Sequence, residues 1–265
     1  MVELSRTVRA NLGGAHGVDL PQGSNGHAGQ PAIAGLGTYY EFKVSCKGEP
    51  EPKTGYLVNI KLIDQAVRQS VLPRVQHELV KNPSQNPAPL VSELAKQLAP
   101  NLPVPLIALR WNLSPTLSLE SHMDAPTEVL LRQRYEFAAA HRLNVPDLSP
   151  EKNAEIFGKC NNPSGHGHNY QVEVCVRVDL SGDHLSAHEL DTIIDSQLIE
   201  RFDHKHLNTD TVEFAEKTGL NPSVENIARV SYDILKPAIA AGSGNPSLKY
   251  VTIWETPKTS CTYPA

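Results

Sequence analysis

The chain has 265 residues, 40% of them hydrophobic and 20% charged, which is typical of a globular protein with one large domain or two ordinary ones. Its formal net charge of -5 and the lack of a lysine- and arginine-rich run argue against a nucleic-acid-binding surface. No stretch approaches the roughly 20 apolar residues of a membrane span, and the N-terminus lacks the apolar core of a signal peptide. We therefore expect a cytoplasmic protein that does not enter a membrane.

Four cysteines, Cys46, Cys160, Cys175 and Cys261, are scattered along the chain without a CxxC pair. Neither a disulfide framework nor a cysteine-rich zinc site is indicated. Cys175 and Cys261 are predicted to be small buried hydrophobic residues, which is the usual role of a free cysteine.

Several segments of the first half of the chain recur in the same order in the second half. GLGTYYEFKVSC (residues 35–46) aligns without a gap on GHGHNYQVEVCV (165–176). VLPRVQHE (71–78) matches LIERFDHK (198–205), PLVSELA (89–95) matches PSVENIA (222–228), and LRWN (109–112) matches TIWE (252–255). This order predicts two tandem copies of one unit, at about residues 1–125 and 126–265.

Each unit is predicted to run as strand, long loop, strand, a further strand or hairpin arm, two helices and a final strand. Val172, Val174 and Val176 alternate with more polar residues, which is typical of a strand. Two helices are predicted from apolar residues at helical spacing, Leu190, Ile194, Leu198 and Phe202 in one and Ile227, Val230 and Ile234 in the other. Ser223 is the predicted N-cap of the second helix. The fold class is therefore α+β, with two helices packed on one face of an antiparallel sheet in each unit.

The two halves differ at polar positions. Five aligned positions carry different residues in the two halves. Written with the first-half residue before its second-half counterpart, they are Leu36 and His166, Thr38 and His168, Gln76 and Asp203, Ser92 and Glu225, and Asn112 and Glu255. The loop at residues 13–34 is glycine-rich, whereas its counterpart at 144–165 contains Cys160. The first half is predicted to keep the fold without the chemistry of the second.

The HGH sequence at His166 and His168 predicts a metal site. Residues i and i+2 of a strand lie on the same face, about 6 to 7 Å apart, so the two imidazoles can bind one ion while Gly165 and Gly167 take the opposite face. His141, at the end of the preceding strand, supplies a third ligand and leaves one tetrahedral position open. The alternative is that these histidines serve only packing or the surface.

Cys160 lies in a turn before the HGH strand and is predicted to approach the ion without binding it. A cation and nearby Lys159 would lower the pKa of the thiol and provide a thiolate base near neutral pH. The alternative is a buried cysteine that takes no part in chemistry.

Three acidic residues and one histidine complete the candidate site. Asp203 beside His204 can fix the tautomer of the ring, as a proton relay requires. Glu255, flanked by Trp254, could accept a bidentate pair of hydrogen bonds from a guanidine-like edge of a ligand. Glu225, like the Asp203 pair, has the alternative of being an ordinary solvated residue of a helix.

In order, FAAAHRL, FGKCNNPSGHGHNY, FDHKHLN, PSVENIA and IWETP resemble the 6-pyruvoyltetrahydropterin synthases and the related 6-carboxytetrahydropterin synthases, which have the tunnelling fold. The first half resembles the same fold more faintly. The resemblance implies zinc on the three histidines, a general-base role for Cys160 and a proton relay through Asp203 and His204. It also implies that Glu255 and Glu225 bind the pterin.

By the same resemblance the protein is a carbon-oxygen lyase that eliminates triphosphate from 7,8-dihydroneopterin triphosphate, with Mg²⁺ as a possible companion of the triphosphate. The product is 6-pyruvoyltetrahydropterin or 6-carboxytetrahydropterin, in the tetrahydrobiopterin or the queuosine pathway. Sites at the subunit interfaces of a homo-oligomer are expected. The segment VDLSGDHLSAHEL (178–190) and Ser164 depart from the family pattern and leave the substrate detail and the assembly open.

Two other functions remain compatible with the sequence. One is a pterin- or purine-binding protein of the same fold without catalysis, and the other is a zinc hydrolase that uses bound hydroxide and leaves Cys160 idle.

Overall fold

A computed structural model describes residues 1–13, 30–31, 36–217 and 219–265. The glycine-rich loop of residues 13–34 therefore lies largely outside the described residues. The chain forms two compact units. The first consists of Met1–Leu131 with Val178–Gly182, and the second of Arg132–Arg177 with Asp183–Ala265.

The first unit is an antiparallel sheet in the order β1-β2-β3-β4. Its strands are β1 (Val2–Gly13), β2 (Gly37–Gly48), β3 (Leu106–Asn112) and β4 (Leu117–His122). Its helices are α1 (Ile60–Ala66), α2 (Leu72–Lys81) and α3 (Pro87–Leu98), with a π-helical turn at Val67–Val71 between the first two. Helices α1 and α2 pack against β1, and α3 packs against β3 and β4.

Alternation along β2 builds the core of this unit. Tyr40, Phe42 and Val44 are buried on the face that packs in the core, whereas Lys43, between them, is exposed. The ring of Phe42 stacks on Trp111 of β3 with 5.6 Å between the centroids.

The second unit has the sheet order β5-β6-β8-β9, and β7 pairs parallel to β5. Its strands are β5 (Glu128–His141), β6 (His166–Asp179), β7 (Lys205–His206), β8 (Ser247–Thr256) and β9 (Thr259–Tyr263), except that residues 128–131 of β5 and 178–179 of β6 belong to the first unit. Its helices are α4 (Pro150–Phe157), α5 (Ala187–Ile194), α6 (Glu200–Phe202), α7 (Leu207–Asp210) and α8 (Val224–Ala240). A π-helical turn at Asp195–Ile199 joins α5 to α6, and α8 packs against α5, β8 and β9.

The mixed α and β composition with antiparallel sheets agrees with the predicted class. The first apolar stripe is fully buried as predicted, and in α8 Ile227 and Val230 are buried, whereas Ile234 is only partly so. Ser223 caps α8 by accepting a hydrogen bond from the Asn226 N–H. No described helix has the length and apolarity that a membrane crossing requires.

The predicted strand or hairpin arm before the helices is wrong in both units. Residues 49–59 and 180–186 form turns and loops, and the first of these segments contains Pro50 and Pro52, which lack the N–H that a strand ladder needs. Each unit instead has an additional strand at its end, β4 in the first and β9 in the second.

Both units contain a register shift at positions that the internal alignment pairs. In β2 the shift against β3 falls between Ser45 and Cys46, and in β6 the shift against β8 falls between Cys175 and Val176. Such β-bulges change the local twist of a strand and are features of a particular fold.

Candidate metal centre

The structure brings together the three histidines that the sequence singled out. His141 is the last residue of β5, His166 is the first residue of β6, and His168 follows two positions later. One ligand atom from each lies within 4.8 Å of the other two. The Nε2 atoms of His141 and His166 are 3.1 Å apart, close to the separation of about 3.3 Å expected for two nitrogens on one tetrahedral zinc ion.

The tautomer of His141 is fixed by the chain that leads into α8. Its Nδ1 lies 2.7 Å from the carbonyl oxygen of Pro222, which can only accept a hydrogen bond, so Nδ1 carries the proton. The lone pair of Nε2 therefore faces His166 and His168. An imidazole held in this way by a backbone carbonyl is the usual arrangement of a metal-binding histidine.

Burial favours the neutral form of His141 and His168. It lowers the pKa of His141 to about 4, although the hydrogen bond to Pro222 acts in the opposite direction. Burial also lowers the pKa of His168, against the effect of the Glu255 carboxylate. Neutral imidazoles are the form that binds a metal, so these two are ready to bind an ion at neutral pH.

Two nitrogen atoms of the cluster are orphaned. His166 Nδ1 and His168 Nε2 are buried and have no hydrogen-bond partner in the described part of the chain. Leaving a buried polar group unpaired costs about 1 to 3 kcal/mol, and a cation held by the three rings would satisfy His168 Nε2. Three imidazoles and an open position suit zinc or a similar divalent transition metal, so these residues fit the ion that the sequence predicts.

Glu255 lies beside the histidines. Its Oε1 is 3.4 Å from His141 Nε2 and 3.6 Å from His168 Nε2. The residue falls at a register shift of β8 against β9, between Trp254 and Thr256. A bulge re-aims a side chain, and here the carboxylate points toward the cluster.

Cys160 is held close to the end of β5 by its turn. The turn, Gly158–Asn161, is a single 3-10 turn after α4, and the Cys160 carbonyl accepts a hydrogen bond from the Leu143 N–H at 2.8 Å. Asn161 Nδ2 donates to the Leu143 carbonyl at 2.7 Å. The thiol is half-buried, and among the described residues it is not a member of the three-histidine group.

Asp203 and His204 form a pair anchored to β5. The carboxylate accepts hydrogen bonds from the Ala138 N–H at 2.8 Å and from His204 Nδ1 at 2.7 Å, and these bonds lower the pKa of Asp203. His204 has a φ of +55°, and its own N–H donates to the Ala138 carbonyl at 2.6 Å. The side chain of His204 is 83% exposed, so its ring is available to a group from outside the unit.

Glu225 is in the first turn of α8 and is exposed. Burial raises the pKa of the Cys261 thiol, and the Glu225 charge raises it further. The role of Glu225 in binding a ligand stays a prediction. Cys175 is fully buried as predicted, but Cys261 is only half-buried because it lies on the edge strand β9.

Two residues near the histidines were given no role by the sequence. Tyr170 is fully buried, with its ring 5.5 Å from that of His168. His206 has a buried Nδ1 without a partner among the described atoms, and it lies so close to Gly165 that a Cβ there would be 2.6 Å from its Nε2. Gly165 precedes the strand in a left-handed turn, with φ +69°, rather than lying on the opposite face of the strand as predicted. For His206, the sequence signal that could have pointed to the site is its HxH spacing from His204.

The fold and the cluster define an α+β protein with three histidines that could hold a metal ion. Residues 130–265 match the family model described as 6-pyruvoyl tetrahydropterin synthase. The chain is 40% identical over 137 residues to the 6-pyruvoyl tetrahydrobiopterin synthase of Drosophila melanogaster, covering 50% of this chain and 77% of that protein. It is 35% identical over 127 residues to the human protein of the same name, covering 47% of this chain and 83% of that protein.

A solved structure of the Caenorhabditis elegans 6-pyruvoyl tetrahydropterin synthase is also similar, at 34% identity and a TM-score of 0.46, covering 52% of this chain and 96% of that one. The chain belongs to the 6-pyruvoyl tetrahydropterin synthase family. It is a lyase of that type.

Proposed function

We propose that the protein eliminates triphosphate from 7,8-dihydroneopterin triphosphate and forms 6-pyruvoyltetrahydropterin. The names of the relatives favour this product over 6-carboxytetrahydropterin. The observation that carries the proposal is the convergence of three imidazoles on one point, with the Cys160 turn hydrogen-bonded to the chain that follows β5.

His141, His166 and His168 would hold Zn²⁺, which supplies Lewis acidity to the side-chain oxygens of the substrate when it is bound. The hydrogen bond from His141 Nδ1 to Pro222 fixes the direction of this ligand. Mg²⁺ would accompany the triphosphate as its counterion.

Cys160 would act as the general base. Its thiolate takes a proton from a side-chain carbon of the substrate, and the electron pair left on that carbon expels the triphosphate. Asp203 would hold the His204 ring in one tautomer, so that the ring exchanges protons with the substrate oxygens. Glu255 would accept hydrogen bonds from the 2-amino and ring N–H groups of the pterin, with Glu225 in the same pocket.

We further propose that the chain arose by tandem duplication, with copies at about residues 1–125 and 126–265, of which only the second is catalytic. Support comes from the shared order of elements, from β-bulges at aligned positions and from a π-helical turn in the first long helix of each unit. The site is proposed to be completed by another subunit of a homo-oligomer, because the His204 ring is 83% exposed and so accessible to a neighbouring subunit's Cys160.

The test is a Cys160→Ala variant loaded with zinc and incubated with 7,8-dihydroneopterin triphosphate, with the product identified by mass. General-base catalysis contributes about 10²- to 10⁴-fold, so we expect a loss of that order with zinc content unchanged. Cys46→Ala, in the other unit, is the control and should retain turnover.

Three other results would redirect the proposal. Unchanged turnover by Cys160→Ala would eliminate the thiol as the base and favour a hydrolase. Pterin binding without turnover by the unmodified protein would favour a non-catalytic binder. A 6-carboxytetrahydropterin product would move the protein to the other branch of the family.

A further inference from the structure

The hydroxyl group of Tyr170 is held at a fixed point beside the histidine cluster. The phenol ring stacks on Phe137, with centroids 5.0 Å apart and an angle of 18° between the planes. It stands perpendicular to the His141 ring at 6.1 Å and lies 5.5 Å from the His168 ring. The side chain is fully buried, so the ring cannot turn its hydroxyl toward solvent without breaking these contacts.

This hydroxyl has no hydrogen-bond partner among the residues that the structure describes. A buried tyrosine usually places its O–H on an acceptor, and an unpaired one costs free energy. Tyr170 and Glu255 both lie beside His168, since the Tyr170 and His168 rings are 5.5 Å apart and Glu255 Oε1 is 3.6 Å from His168 Nε2. The phenol O–H is a donor, and Glu255 is the candidate acceptor because Gln171 pairs with Trp254 across β6 and β8, which makes Tyr170 and Glu255 the next residues along these two strands.

Once the histidines hold a metal ion, the Glu255 carboxylate needs a hydrogen-bond donor other than these histidines. In the structure its Oε1 lies 3.4 Å from His141 Nε2 and 3.6 Å from His168 Nε2. If these nitrogens hold a cation, their lone pairs point at the cation and neither can donate to the carboxylate. The carboxylate must then either bind the cation as a fourth ligand or accept a hydrogen bond from another group.

We propose that Tyr170 is a positioning residue whose hydroxyl donates to the Glu255 carboxylate in the metal-loaded protein. The hydrogen bond keeps Glu255 out of the coordination shell, so the fourth position stays open for substrate and the carboxylate stays free for the pterin. This inference rests on the proposed metal binding by the three histidines.

Tyr170→Phe tests the inference, because it removes only the hydroxyl and keeps the stacked ring. Tyr40→Phe is the matched control, since the internal repeat aligns Tyr40 with Tyr170 and Tyr40 packs at 5.2 Å from Trp111 in the other unit. The measurements are the affinity for Co²⁺, its visible absorption spectrum, and the binding of thiocyanate to the Co²⁺-loaded protein.

With Tyr170→Phe we expect Glu255 to become a ligand. Co²⁺ should then bind about tenfold more tightly, the spectrum should change, and thiocyanate should bind at least about tenfold more weakly. The KM for the pterin triphosphate should rise more than kcat falls. In a Glu255→Gln background, Tyr170→Phe should have no further effect on Co²⁺ affinity, because the two side chains act through one contact.

A second measurement does not depend on the Tyr170 variant folding. With tyrosines labelled at Cζ, one of the eight tyrosine signals should shift when Zn²⁺ is added to the unmodified protein and should not shift in Glu255→Gln. Tyr170→Phe behaving like Tyr40→Phe, or the same Cζ shift persisting in Glu255→Gln, would overturn the inference alone. Failure of the unmodified protein to bind Co²⁺ would overturn the metal assignment and this inference together.

Discussion

Gly165 is the residue whose replacement should show how closely the cluster is packed. Its φ of +69° disfavours any side chain, and a Cβ would lie 2.6 Å from His206 Nε2 and 3.0 Å from the His141 carbonyl oxygen. We expect Gly165→Ala to lower the free energy of unfolding by about 1 to 3 kcal/mol and to weaken zinc binding. Gly167→Ala is the control, because the nearest atom to its Cβ would be 3.7 Å away. Chemical denaturation and zinc titration of both variants measure the difference, and equal effects would contradict the packing argument.

The Asp203 pair gives a prediction about pH. Hydrogen bonds from the Ala138 N–H and from His204 lower the pKa of Asp203 in the folded protein. A lowered folded pKa means that the stabilisation is present above the unfolded pKa of about 3.9 and is lost as the pH falls through the folded pKa. Asp203→Asn should therefore be less stable than the unmodified protein at pH 7, and the two should converge in strong acid. Because Asp203 is one-third exposed, we expect a difference below about 1 kcal/mol.

Denaturation midpoints of the two proteins between neutral and strongly acidic pH check this prediction. His204→Phe keeps the hydrogen bond from the Ala138 N–H to Asp203. At pH 7 it should therefore lose less stability than Asp203→Asn does. A gap that widens as the pH falls would contradict the assignment of the stabilisation to the Asp203 carboxylate.

At the residue scale, the alternation of side chains along a strand is enough to predict that the three histidines can lie close together. His166 and His168 share a strand face because side chains alternate, and His141 ends the preceding strand. Tyr170 could not be assigned a role in this way, because its position depends on tertiary contacts with Phe137 and the histidine rings. The unpaired state of its hydroxyl is visible only once those contacts exist.

At the element scale, the loop before Cys160 depends on one buried side chain. Asn153 of α4 donates to the carbonyls of Val145, Leu148 and Ser149 and accepts from the Val145 N–H at 2.7 Å. We expect Asn153→Ala to leave these buried groups unpaired and to cost about 2 to 3 kcal/mol. Turnover should fall by about tenfold, because Cys160 follows this helix directly, while zinc affinity stays nearly unchanged.

Lys152→Ala is the control for this element. Lys152 is exposed and forms a surface ion pair with Glu155 at 2.9 Å, so its loss should cost less than about 0.5 kcal/mol. Thermal unfolding, zinc titration and steady-state rates separate the two variants. Equal losses of turnover would show that α4 as a whole, rather than the Asn153 contacts, places Cys160.

The sequence predicted the strands and long helices of the second unit better than its loops. Apolar spacing identified α5 and α8, because each buries one face against its neighbours. Helix α4 was missed because its residues PEKNAEIF bury only Asn153, and a helix without an apolar face carries no periodic signal. The bulge that aims Glu255 is likewise set by strand pairing and not by the local sequence.

At the scale of the whole molecule, the bounds of the internal repeat differ from those of the compact units. Val178–Gly182 lies within the second repeat, yet it belongs to the first compact unit. A repeat boundary reflects where similar segments begin and end, whereas a compact unit reflects which residues pack together. The two need not coincide, because a short segment joins whichever core it contacts.

The two tryptophans allow each unit to be followed separately, since Trp111 lies in the first unit and Trp254 in the second. A ligand stabilises only the folded unit that binds it, by about 2.7 kcal/mol at a free concentration 100 times its Kd. We therefore expect zinc to raise the unfolding midpoint reported by Trp254 in a Trp111→Phe variant. The midpoint reported by Trp111 in Trp254→Phe should not move, and zinc affinity of that variant is measured to confirm that its site is intact. Equal shifts of both midpoints on adding zinc would show that the two units unfold as one cooperative structure.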